Sequence, residues 1–78
     1  MSPETTDPEV PALDPRFRAI LLSRPRDWAM RAIAGYTVRH FCKGDAEREQ
    51  AMRHGLSRAH TPEEKEAWIF GFTWVDRS

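Results

Sequence analysis

The chain has a single cysteine, no long apolar run and no net charge, and each of these narrows what it can be. With Cys42 alone, no internal disulfide can staple the fold, and small secreted domains normally need such staples. A reducing, cytosol-like compartment is therefore expected. The longest uncharged apolar stretch, Ala67 to Val75, is nine residues, where a spanning helix needs about twenty. The opening Met1-Ser2-Pro3-Glu4-Thr5-Thr6-Asp7 has neither a basic nor an apolar leader segment, and the closing Val75-Asp76-Arg77-Ser78 is not a lipidation or retention signal. The expectation is a cytoplasmic protein without a membrane partner. The four glycines fall in no phosphate loop and no GxGxxG fingerprint. At 78 residues there is room for one small domain and none for a two-domain enzyme. Below roughly 70–80 residues core gain and chain entropy nearly balance unless a metal, a disulfide or another chain helps. With no disulfide and no strong metal motif, a homo-oligomer or a larger complex is expected.

The zero net charge is a sum of unlike zones. Residues 1–14 carry Glu4, Asp7, Glu9 and Asp14 without a basic residue, giving −4. Residues 15–60 hold ten Lys or Arg against four carboxylates, giving +6, and residues 61–78 give −2. A solvated basic surface with counter-charges nearby is the ordinary reading. A basic surface for nucleic acid, or for an acidic protein, with the tail folding back over it, is the sharper one.

Local signals then divide the chain. Pro3, Pro8, Pro11 and Pro15 make residues 1–14 read as an acidic, disordered tail, because proline fixes φ and removes donors. Residues 15–78 read as one helical domain. Asp14-Pro15 opens a short first helix with Leu13, Phe17, Ile20 and Leu21 on one stripe, ended by Pro25, with Ser23 placed to cap the next helix. That second helix, over about Pro25 to Cys42, closes at Lys43-Gly44. Its wheel carries Met30, Ile33, Ala34, Tyr36, Thr37, His40 and Phe41 around most of its circumference, which marks the central helix. Asp45 caps a third helix over about Ala46 to Ala59, where Glu49 and Arg53 are spaced for a pair. Thr61-Pro62-Glu63-Glu64 is a capping box that opens a fourth. After Ala67 the segment is apolar on every side. Period two would put Trp68, Phe70, Phe72 and Trp74 on one face of a strand, but the helix start favours helix. The fold class expected is all-α, an irregular bundle of three to four short helices.

Few constellations carry chemistry. His40, Cys42, His54 and His60 do not make a paired metal half-site, and Cys42 with a histidine lacks the surroundings of an activated nucleophile. Capping accounts for Glu63 and Glu64. No catalytic residue, metal or cofactor is assigned, and the protein reads as a non-enzyme. Arg31, Gly35 and Arg39 stand one turn apart. Their ordinary reading is a surface pair with Gly35 admitting another helix of the same chain. The alternative is a strip whose arginine forks orient a partner. The aromatic run carries the strongest functional inference, since Trp and Phe dominate interface hot spots and a small domain has difficulty hiding all of them. Two of Trp68, Phe70, Phe72 and Trp74 are expected inward, and at least one of the others at a contact with another chain.

Ala51-x3-Gly55 followed by Trp68-x2-Gly71-Phe72 resembles the small ribosome-associated modulation factors over roughly the last third of the chain. The segment between the two halves is shorter here and the strongly basic balance is missing, so no functional residue is carried over. The function expected is a small adaptor, inhibitor or accessory subunit. It would bind a protein partner through Trp68, Phe70, Phe72 and Trp74, oriented by Arg31, Gly35 and Arg39. Binding of nucleic acid or the ribosome through the basic middle is the alternative.

Overall fold

The computed structural model describes residues 13–77, so all but the end of the expected tail lies outside the described residues. Five helices run in order: α1 (Pro15–Leu22), α2 (Arg26–Phe41), α3 (Asp45–Arg58), α4 (Pro62–Phe72) and the single turn α5 (Trp74–Arg77). The fold is all-α, with no strand among the described residues.

The caps explain most of these boundaries. Asp14 accepts the Arg16 N–H at 2.7 Å, which holds its carboxyl below the ordinary carboxylate range, and Pro15 takes the first helical position. At α4 the Thr61 hydroxyl accepts the Glu64 N–H while the Glu64 carboxylate accepts the Thr61 N–H, the reciprocal capping box the sequence announces. Two boundaries differ from expectation. Ser23 closes α1, its hydroxyl donating to the Ile20 carbonyl at 2.7 Å, so α2 starts from Pro25 without a side-chain cap. Gly44, not Asp45, is the N-cap of α3, with φ at 117°. That conformation is open to glycine and strained for other residues. A carboxylate two residues into α3 takes over part of the capping, as Glu47 accepts the Lys43 N–H at 2.7 Å.

Packing is organised by the crossing of α2 and α4. Ala32 and Gly35 on α2 meet Ala67 and Gly71 on α4, all of them buried. The backbones come so close that a Cβ on Gly35 would stand 2.7 Å from the Trp68 carbonyl oxygen, and one on Gly71 would overlap the Ala32 carbonyl. The aromatic run divides around this crossing with helical periodicity. Trp68 and Phe72 turn toward α3, where Gly55 leaves room for the Trp68 indole. Phe70 and Trp74 turn toward α1, where the fully buried Phe17 ring lies 5.7 Å and 5.2 Å from theirs. A strand would have put all four on one side. Leu21, Trp28 and the flank of Tyr36 complete that side of the core. Of the residues that carry the family resemblance, Gly55, Trp68, Gly71 and Phe72 each serve helix packing here.

Candidate protein-binding face

α2 is apolar around most of its circumference, and the small bundle covers only part of it. Trp28, Ala32 and Gly35 are buried, and Ala29, Ile33 and Tyr36 pack against the core from its edge. The remaining apolar positions, Met30, Ala34, Val38 and Phe41, are all exposed, with Met30 at 58 %, Val38 at 38 % and Phe41 at 51 %. These four recur at i, i+4, i+8 and i+11, so they form one stripe along the outer side of the helix. Scattered surface apolar residues are ordinary, whereas a continuous row of them is a candidate contact surface.

Each end of the stripe opens into a shallow groove. Toward the start of α2, Asp27, Met30 and Ala34 border a hollow shared with Arg31 and with Glu64 of α4. The Glu64 carboxyl there is held below its usual range, chiefly by the His60 N–H it accepts at 2.6 Å, then by the Thr61 N–H and the Arg31 charge. Toward the end of α2, Val38, Phe41 and Cys42 line an open groove of about 580 Å³ closed on the far side by Ala51 and His54 of α3. The Cys42 thiol donates back to the Val38 carbonyl at 3.2 Å. Among the described residues no group of three or more His, Cys, Asp or Glu side chains is placed to hold a metal ion. No helix among them is long and apolar enough to cross a membrane.

The residues singled out from sequence fall elsewhere. Trp68 and Phe72 are buried at 5 % and 4 % exposure, and Phe70 and Trp74 are partly buried against Phe17. Their apolar neighbours Ile69 and Val75 are the large apolar residues of this segment that face outward. Gly35 sits beneath α4. Arg31 and Arg39 lie at opposite ends of α4: Arg31 stands by Glu64, and Arg39 reaches Asp76 of α5 at 3.2 Å. Gly35 and Arg39 thus contact α4 and α5 of the same chain. The signal for the outer stripe is present in the wheel of α2, whose apolar arc is wider than three short neighbouring helices can cover, although Val38 lies outside the arc counted from sequence.

The class that fold and surface define is a small all-α protein whose described residues present an exposed apolar face on α2. No known protein family, no curated protein and no solved structure matches the chain.

Proposed function

We propose that this is a small, non-enzymatic, cytoplasmic interaction protein of regulatory type that holds the apolar face of a partner helix against α2. The exposed row Met30–Ala34–Val38–Phe41 carries this reading. Together with Asp27 and Thr37 it repeats with the three-and-four spacing of a helix seam, the pattern by which one helix receives another. The lone free Cys42 supports a reducing compartment. Aromatic packing in α4 serves this surface indirectly, since it occupies the inner side of α2 and leaves the outer row free.

Nucleic-acid binding receives less support from the basic middle segment. Arg16 and Arg39 pair with Asp14 and Asp76, carboxylates outside residues 15–60, so two of the six excess positive charges are neutralised within the chain. The test is affinity purification of the full chain in three forms: wild type, Phe41→Asp and the surface control Glu63→Lys. Proteins retained by wild type and Glu63→Lys and lost from Phe41→Asp are expected. Identical protein sets from all three would overturn the reading. Co-purified nucleic acid that is lost on raising salt but indifferent to Phe41→Asp would favour the alternative.

A further inference from the structure

Between the starts of α2 and α4 lies a cavity whose chemistry differs from that of the apolar row. It holds about 420 Å³, and its walls include Arg24, Asp27 and Trp28 on one side and Glu63, Glu64 and Glu66 on the other. Residues 15–78 together carry +4. Here the sign reverses, since four carboxylates outweigh one guanidinium and leave −3. Capping engages Glu64, which accepts the His60 and Thr61 N–H groups and stands by the Arg31 charge. Glu63 suits the positive helix end, but the capping box is closed by Glu64 alone. Asp27, Glu63 and Glu66 form no ion pair among the described residues.

Trp28 supplies an independent observation in the same wall. It is 7 % exposed, and its indole N–H is buried without an acceptor, which a buried donor ordinarily finds. The guanidinium carbon of Arg24 stands over the indole, 4.4 Å from the ring centroid. Arg24 is itself exposed and makes no ion pair among the described residues. The indole face thus already receives a guanidinium, the cation best suited to stacking on an aromatic ring while its fork meets carboxylates. Lifting Arg24 away uncovers the indole. A ligand with a carbonyl beside its cation, as a peptide has, then offers the N–H the acceptor it lacks.

We infer that this cavity is a second binding site, for an arginine side chain of a basic peptide segment, and that the incoming guanidinium displaces Arg24 from Trp28. The experiment follows the indole N–H signals of the full chain by proton–nitrogen NMR. There are three tryptophans, and Trp28→Phe identifies the signal that matters. The probe is acetyl-Gly-Arg-Gly-amide, with the uncharged citrulline peptide of the same shape as its counterpart. The Trp28 signal should move saturably with the arginine peptide in the millimolar range and hold its place with the citrulline peptide. Glu63→Gln/Glu66→Gln should weaken binding about fivefold, as for the loss of two exposed ion pairs. Arg24→Ala should tighten it about threefold, because the competing cation is gone. A gain of affinity cannot come from misfolding.

A Trp28 signal that stays fixed up to about 20 mM peptide, beyond the weakest affinity of interest, would overturn the site, and so would equal movement with the citrulline peptide. Weaker binding by Arg24→Ala would overturn the displacement. Met30, Ala34, Val38 and Phe41 do not line this cavity, so the site and the α2 row can fail separately. In the affinity purification, proteins lost from Glu63→Lys alone belong to the cavity and those lost from Phe41→Asp alone to the row.

Discussion

Gly71 is the position on which the inner side of α2 depends. Its missing Cβ lets the α4 backbone rest on the Ala32 carbonyl, and no side-chain rotation can relieve a methyl group placed against a backbone atom. Overpacking of this kind costs about 3 kcal/mol. Gly71→Ala should lower the urea midpoint accordingly without changing the m-value, as for a loss of stability rather than of compactness. A shift worth less than about 0.5 kcal/mol, the size of a neutral surface change, would mean that the two helices are not in backbone contact. The same residue shows how sequence and packing relate. The apolar run around Gly71 signals burial, but its partner, Ala32, lies on another helix, and nothing in the local sequence names it. In sequence, Gly35 groups with Arg31 and Arg39 as a strip that opens either onto another helix of the chain or onto a partner. The close contact with the Trp68 carbonyl decides for the chain's own helix, because backbone approach at that distance requires glycine on α2 and an uncrowded turn on α4.

The helices themselves show how far local chemistry reaches. Asp14-Pro15 and Thr61-Pro62-Glu63-Glu64 specify their starts because cap and first turn lie within a few residues of one another. Ser23 and Asp45 depart from expectation for equally local reasons: Ser23 bonds backward to Ile20, and Gly44 adopts a φ that places the cap one residue earlier. The division of the aromatic run between α1 and α3 is only half legible in sequence. Its helical period predicts two sides, yet which side meets which helix depends on the bend at Gly44 and the room left by Gly55. For the capping box, pH supplies the test. Glu64 has its carboxyl held low in the folded chain, so its contribution is complete above its unfolded pKa and is lost as pH falls through the lowered folded value. Wild type should therefore melt above Glu64→Gln at neutral pH, with the two melting temperatures converging in acid below the ordinary carboxylate range. A difference that stays constant down to strongly acid pH would show that the carboxylate is not what closes the box.

Taken whole, the protein is a short chain with a modest interior. Phe17 is the one large side chain fully withdrawn from water among the described residues, and small domains of this kind gain from covering more apolar surface than they can enclose alone. The outer row of α2 supplies that surface. Composition points to association on grounds of size, but it places the contact on the aromatic helix, because aromatic residues serve cores and interfaces equally well. Folding assigns those rings mostly to the interior and leaves the aliphatic and mixed row of the central helix outside. The tail's share in this balance, as an acidic segment before a net basic domain, concerns residues that lie outside the described part of the chain.

Methionine offers a direct view of the contact, since Met30 lies on the row and Met52 lies on α3 beside Phe72 and Arg39. In protein labelled at the methionine methyl carbons, a dilution series monitored by NMR separates the two positions. If α2 forms the contact, the Met30 methyl resonance moves or broadens as the chain associates, while that of Met52 holds its place. A Met30 resonance that stays fixed while the molecular mass changes, or a Met52 resonance that moves in its stead, would contradict it.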